Sequence, residues 1–458
     1  MAKVTIVGAG GYVFPLRLIG DLLSFPALRD STLTLMDVDP GRLERTASAA
    51  RDLVAHHRFL TRVEATTDRR QALDGADYVI VTFQVGGLDA YRLDVEIPRR
   101  YGIDQTVGDT LGPGGVFRFL RSAPAYRDLA ADIAALCPGA LLINYANPMA
   151  MSCWFLDHLG VNVVGLCHSV QGTSRMLARQ LDVPYDEVTY LAAGINHQAW
   201  FLQFRRSDED LYPRLREVMT RQHLRRPGAN GLANDRGEHS DAGRGDSVYE
   251  GGAERVRTEI MAAFGYFHTE SSHHASEYLP YFRKNPALVN EFVPQRWDYY
   301  QICAAHDAAE QTATLLARLK TELAPSVEYG AAIVNSIETG QPSVVYGNVA
   351  NRGLIPNLPH GCCVELPCLV DANGIQPTAV SPLPPQCAAV NRTNVNVQDL
   401  AVAAALEENL EHVYHAIMLD PLTGALLTLE QIRAMIDEML TAEAAWLPAF
   451  ASRAAVAS

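Results

Sequence analysis

The sequence predicts an α/β protein, in which an N-terminal Rossmann-like, doubly wound sheet is followed by a mixed α+β domain for substrate binding and catalysis. Three observations carry that expectation. A short apolar strand at Lys3 to Val7 runs into the glycine turn Gly8-Ala9-Gly10-Gly11 and then into an apolar helical pattern. Three further apolar strand-like runs follow at Tyr78 to Phe83, Ala140 to Asn144 and Val161 to Leu166. After about Gly194 this strand–helix rhythm fades. Residues 1–195 therefore read as a dinucleotide-binding domain and 196–458 as the second domain, which would also carry oligomer contacts.

In the first unit, Leu16, Leu18, Ile19, Leu22 and Leu23 mark the helix after the glycine turn, and Leu33 to Met36 a second strand ending in Asp37. Glycines let a backbone approach a pyrophosphate, the helix N-terminus favours its charge, and an acid on the second strand can hold a ribose hydroxyl. Gly8, Gly10, Gly11 and Asp37 are thus candidate NAD contacts, although Val13 stands where the usual third glycine would be. Asp37 as a turn-forming cap is the alternative. The later strands, with a helix from about Ala123 to Leu136, complete the sheet. Ligands in such sheets collect beyond the carboxyl ends of the strands. There the sequence puts Gln84 to Gly87, Asn144 to Pro148 and Cys167-His168, with Gly108 to Gly115 as a glycine-rich loop or a helix-entry turn.

In the second unit, residues 221–250 are rich in Gly, Asn, Asp and Arg and read as a mobile surface loop. A run of polar and aromatic groups follows at Phe264 to His274. Ile302 to Leu323 has helical periodicity, Ser343 to Gly347 and Cys362 to Val370 read as strands, and helices near Val397 to Met418 and Leu429 to Leu440 close the chain.

Composition narrows the function. A length of 458 residues, 48% hydrophobic and 20% charged, fits a soluble globular protein of about two domains. A formal net charge of −14 argues against nucleic acid or an anionic membrane as partner. Lys3 to Val7 is too short for a signal-peptide core, and no apolar run approaches a membrane span. Eight cysteines without a framework pattern, two of them adjacent at Cys362-Cys363, read as reduced thiols of a cytoplasmic protein.

The stretch with the most chemistry is Val163-Val164-Gly165-Leu166-Cys167-His168, answered by Gly194-Ile195-Asn196-His197. Thiolate and imidazole both ligate divalent transition metals. Only about 30 residues separate Cys167 from His197, so one metal could join two neighbouring strand ends. A buried free cysteine and a satisfied histidine are the plainer alternative.

Taken together, these residues resemble the NAD- and metal-dependent glycosidases of glycoside hydrolase family four over nearly the whole chain. The markers are the glycine turn, GPGG at Gly112 to Gly115, NYANPM at Asn144 to Met149, GLCHSVQ at Gly165 to Gln171 and GINH at Gly194 to His197. Cys-His-Ser-Val looks like the α-galactosidase (melibiase) branch, whereas phosphoglycosidases carry Cys-Asp or Cys-Asn and α-glucosidases Cys-His-Gly. The runs at Phe264 to Tyr278 and Tyr346 to Pro377 also resemble melibiases.

The resemblance implies hydrolysis outside the two-carboxylate scheme. NAD⁺ oxidises C3 of the sugar, a base removes the acidified C2 proton, the aglycone is eliminated, water adds and the retained NADH reduces C3 again. By resemblance Cys167 and His197 hold Mn²⁺, or another divalent ion, and Tyr266 is the base; a packed aromatic is the alternative for the last. His168 stands where the phosphoglycosidase branch has its leaving-group acid; a hydrogen bond to a sugar hydroxyl is the alternative. Asn147 and Arg92 match substrate-contacting positions, with Asn147 also near the cofactor and Arg92 otherwise a solvated surface residue. Asp109 contacts sugar or metal-bound water, or caps its loop. Relatives form homodimers and homotetramers, so an oligomer is expected. Other expectations are an α-glucosidase, α-glucuronidase or α-galacturonidase of the same family, a lactate- or malate-type dehydrogenase, and a redox-sensing protein that holds NAD(H) without turnover.

Overall fold

A computed structural model describes residues 1–11, 13–224, 254–294, 298–305 and 308–450. Its strands are β1 (Lys3–Val7), β2 (Thr32–Met36), β3 (Arg62–Thr66), β4 (Tyr78–Val81), β5 (Leu141–Asn144), β6 (Val163–Gly165), β7 (Val188–Ile195), β8 (Gln198–Arg206), β9 (Glu209–Asp210), β10 (Phe267–His268), β11 (Ser343–Ala350), β12 (Cys363–Asp371) and β13 (Gly374–Pro377). One sheet takes the order β10-β8-β7-β12-β11-β6-β5-β4-β1-β2-β3, with β9 and β13 paired to β8 and β12. From β3 to β6 every pairing is parallel, in the order 3-2-1-4-5-6 of dinucleotide-binding folds. Val79, Ile80, Val81, Leu142 and Ile143 are all fully buried, as strands covered by helices on both faces require.

The antiparallel half is joined to this unit through one row of residues. Gly165 pairs with Asn348, Asn348 with Glu365, and Glu365 with Gly194, so β6, β11, β12 and β7 meet in register at a single level. A Cβ on Gly165 would lie 2.4 Å from Met149 Sδ and 2.7 Å from Cys153 Sγ, so only glycine lets β6 close against its neighbours there. Because β11 and β12 lie between them, β6 and β7 are not neighbouring strands, contrary to expectation; Cys167 and His197 come together only beyond the strand ends.

Other boundaries also differ. The expected division at 195/196 falls inside the hairpin β7–β8, which shares eight register pairs, so the topology changes earlier, after β6. The helix expected from Ala123 begins at Gly112 and runs to Leu136, with GPGG as its first turn and Pro124 in its interior. The edge strand β3 went unread because its residues are only partly buried and carry no apolar run. Of the loop expected at 221–250, Thr220–Leu224 forms a π-helical turn, and the rest lies outside the described residues. Among the described residues no helix is long and apolar enough to cross a membrane.

Candidate active site

Two turns bring the metal-ligand candidates together. β6 ends at Gly165, and Cys167-His168 follow immediately before the helix Ser169–Gln180. The hairpin β7–β8 turns through Asn196-His197, and the turn holds His197 at φ 61°. Left-handed backbone is uncommon away from glycine and concentrates where a site over-determines it.

A third donor, unread in the sequence, completes the set. Glu270 Oε2 lies 3.5 Å from His197 Nε2 and 3.9 Å from Cys167 Sγ. One ligand atom from each of the three lies within 4.8 Å of the others, and all three side chains are buried. Glu270 closely follows β10, and the intervening Thr269 N–H bonds Ala199 O on β8, so the sheet edge carries the carboxylate to His197.

The protonation states suit a cation. Burial holds His197 neutral, with its pKa near 4. Burial opposes ionisation of Glu270, but His274, His197 and the Ser271 N–H outweigh it and hold the carboxyl at about 2. Burial, with Glu270 and Glu365 close by, pushes the Cys167 thiol well above its usual value, so that group must ionise on binding. Thr110 Oγ1 donates to Asp109 Oδ1 at 2.7 Å and lies 3.4 Å from His197 Nδ1. With its hydroxyl hydrogen spent on Asp109, Thr110 accepts from Nδ1–H, which turns the Nε2 lone pair toward Glu270 and Cys167.

Asp109 is 3% exposed and also accepts from Asn147 Nδ2 at 3.2 Å. Burial works against its charge, yet Arg118 and then His274 hold it below the ordinary aspartate range. His168 Nδ1 is 3.4 Å from Glu328 Oε1, and that carboxylate raises the imidazole's pKa against the opposing effect of burial. Glu365, beside Glu270, is pushed by burial to about 8 and carries a proton at neutral pH.

Two expected site residues are not brought to this cluster. Arg92 lies on the outer face of the helix Gly87–Arg100, exposed and paired with Glu96 one turn on, while Tyr91, Asp94 and Val95 face inward. Tyr266 precedes β10, whose Phe267 pairs with Phe201, so Tyr266 is level with Leu202. Five residues of strand separate Leu202 from His197, about 16 Å, and a tyrosine spans less than half of that. Its ring instead makes an edge contact with Tyr212, at 6.1 Å between centroids. The tyrosine at the cluster is Tyr278. It is four residues after His274 on the helix Ser272–Tyr278 and hence on the same face. Ring centroids of His274 and Tyr278 lie 4.9 and 6.3 Å from that of His197, and the Tyr278 hydroxyl is buried without a hydrogen-bond partner.

On the adjoining rim, the glycine turn closes onto Asp37. Gly10 N–H donates to Asp37 Oδ2 at 2.8 Å, and Asp39 N–H to Oδ1 at 3.0 Å. The turn-capping role is therefore real, and each oxygen keeps a lone pair for a ribose hydroxyl. A Cβ on Gly10 would lie 2.7 Å from the Asp37 carboxylate. Val13 is the N-cap of the helix Phe14–Ser24 and gives it no side-chain cap, which leaves first-turn N–H groups free for an anion.

The family 4 glycosyl hydrolase profile matches residues 3–183, and the profile of that family's C-terminal domain matches residues 192–423. An α-galactosidase of Bacillus subtilis (strain 168) is 36% identical over 456 residues, covering 98% of this chain and 100% of its own. The chain belongs to glycosyl hydrolase family 4. An α-galactosidase of Rhizobium meliloti (strain 1021) is likewise 36% identical, over 98% of this family 4 chain and 90% of its own. The crystal structure of a 6-phospho-α-glucosidase from gut microorganisms, in complex with NAD and Mn²⁺, shares the fold with a TM-score of 0.79 at 22% identity, covering 98% of this chain and 100% of that one. The buried set Cys167, His197 and Glu270 and the glycine turn at Gly8 to Gly11 both lie beyond the carboxyl ends of this glycosidase's parallel strands.

Proposed function

We propose that this family 4 glycosidase is an NAD- and divalent-metal-dependent α-galactosidase acting on unphosphorylated α-galactosides. The observation that carries the proposal is the convergence of a buried thiol, a neutral imidazole and a carboxylate on one point of the rim that also bears the glycine turn. The galactoside preference rests on the two α-galactosidases at 36% identity over nearly the whole chain.

Cys167, His197 and Glu270 would hold a divalent cation such as Mn²⁺, while Gly8 to Gly11, Asp37 and the free end of the helix Phe14–Ser24 would hold NAD. When bound, NAD⁺ supplies reversible hydride acceptance at C3 of the sugar and the cation polarises the C2–C3 oxygens. The chain's own part is proton transfer and orientation. Tyr278 is the candidate base for the C2 proton. Burial, with Asp109 and Glu270 near, raises its pKa well above the ordinary phenol value. A divalent cation held by Cys167, His197 and Glu270 would favour its ionised form. His168, paired with Glu328 and partly exposed, is the candidate acid for the leaving oxygen. Thr110 and Asp109 keep the His197 tautomer, and Asn147 ties Asp109 to the end of β5.

Eight free cysteines, seven of them buried, support a reducing, cytoplasmic setting. A homodimer or homotetramer goes with this reading, and scattering mass in solution checks it. The function itself is tested by turnover of a nitrophenyl α-galactoside with NAD⁺, Mn²⁺ and thiol omitted in turn, beside the α-glucoside and the 6-phosphogalactoside. Turnover of the neutral galactoside only with both cofactors is expected. Full turnover without NAD⁺, or preference for the phosphorylated sugar, overturns the proposal.

A further inference from the structure

Arg118 is a buried cation whose donors are only partly used. It is 8% exposed, its Nε donates to Asn147 O at 3.1 Å, and its guanidinium lies 5.3 Å from the centre of the Tyr91 ring. Nη1 is buried with no hydrogen-bond partner. Asp109 stands beside it, but that carboxylate accepts from Thr110 and Asn147, so it neutralises Arg118 through space without consuming the free end of the fork. A buried charged donor left unpaired is costly, and native structures keep such groups where a ligand or water will meet them. The placement is built in. Gly114, in the first turn of the helix Gly112–Leu136, has its Cβ position 2.6 Å from Gly108 O, so glycine lets the helix seat against the loop of Asp109 and present Arg118 beside it.

Hydrogen-bonding contacts run in a continuous row from the metal donors to this guanidinium, the last of them through the Asn147 backbone carbonyl. His197 meets Thr110, Thr110 meets Asp109, Asp109 meets Asn147, and Asn147 meets Arg118. A galactoside whose C2–C3 edge faces Cys167, His197 and Glu270 turns its other hydroxyls along this row. In galactose the axial O4 and the O6 fall on one side of the ring. They form a pair of acceptors suited to the two parallel N–H groups at the end of a guanidinium. We infer that Arg118 grips the 4- and 6-hydroxyls of the sugar and is the residue that sets selectivity at that edge. The inference rests on the proposed galactosidase reading and adds to it the group that reads the glycone.

The test compares the parent with Arg118→Met and Arg118→Lys. Each protein is loaded with NAD⁺ and Mn²⁺ and assayed on nitrophenyl α-galactoside and its 4-deoxy and 6-deoxy analogues. Binding of galactose and the two deoxy sugars is measured in parallel by calorimetry. The parent should lose about 10- to 100-fold in kcat/KM and in sugar affinity when either hydroxyl is removed. Arg118→Met should fall by a similar factor on the full galactoside and no longer distinguish it from the deoxy analogues, with NAD⁺ and Mn²⁺ affinities unchanged. Arg118→Lys should recover part of the discrimination, which a merely structural role would not predict. Retention by Arg118→Met of the parent's galactoside-to-deoxy ratios overturns the inference, as does a parent whose sugar binding ignores both hydroxyls. A parent that binds galactose with the expected discrimination but turns over no α-galactoside supports the inference and sinks the proposed activity instead.

Discussion

Binding of Mn²⁺ should release a proton, and the count follows from the three donors. Above about pH 5, His197, with its pKa near 4, is already neutral, and Glu270, near 2, is already anionic. Neither changes state when a cation arrives. Cys167 is still a thiol, because burial and the neighbouring Glu270 and Glu365 push its pKa up. Its proton must leave, so affinity should rise about tenfold per pH unit between roughly pH 6 and 7.5. Glu365, at about 8, and the Tyr278 phenol also hold protons in this range, and further protons would come from them. Calorimetric titration of Mn²⁺ in buffers of differing ionisation enthalpy gives the count, and Glu365→Gln combined with Tyr278→Phe isolates the thiol's share at about one. Cys167→Ser should lower Mn²⁺ affinity at least about 100-fold and remove the thiol's share of its pH dependence, since a serine hydroxyl keeps its proton. NAD⁺ affinity should remain near that of the parent, because Gly8 to Gly11 and Asp37 are untouched. A proton count of zero in that double variant, with affinity flat across that range, refutes Cys167 as a ligand.

Three further outcomes are expected. Tyr278→Phe should lower kcat by about 10²- to 10⁴-fold with little change in Mn²⁺ or NAD⁺ binding, whereas Tyr266→Phe should stay within a few-fold of the parent; steady-state rates and titrations of both variants check this. Gly10→Ala puts a methyl 2.7 Å from the Asp37 carboxylate and should cost most of the NAD⁺ affinity, read by fluorescence titration, while Mn²⁺ binding is kept. Arg121 is buried between Asp94 and Glu443, at 2.5 and 3.0 Å, so Arg121→Met strands two acids and should cost about 3–5 kcal/mol, seen as a lower midpoint in urea.

What could be read from the sequence was local and strongly patterned. Lys3 to Val7, the glycine turn and the acid-ended second strand are contiguous signals, and the strands form where those signals stand. Cys167 and His197 were legible because each ends an apolar strand run. Glu270 and Tyr278 were not, although both lie in the polar run that marks the family resemblance. Their role depends on β10 pairing with β8 and on a short helix setting His274 and Tyr278 on one face, which no spacing in the chain announces. Tyr266 drew attention by its place in the same run, and only the strand register removes it from the cluster. Arg92 failed because helical phase at a single residue decides between solvent and site, and Tyr91 and Asp94 took the inward positions. Arg118 went unread because its partners, Asn147 and Tyr91, come from other elements of the sheet rim.

In the proposed mechanism Tyr278 removes the C2 proton of a galactoside held beside Cys167, His197 and Glu270, so that the glycosidic bond breaks by elimination rather than direct displacement. Hydrolysis of an α-galactoside in D₂O by the NAD⁺- and Mn²⁺-loaded enzyme tests it most directly, with the galactose examined by proton NMR. One deuterium at C2 of each product molecule is predicted; turnover that leaves the C2 proton in place contradicts it.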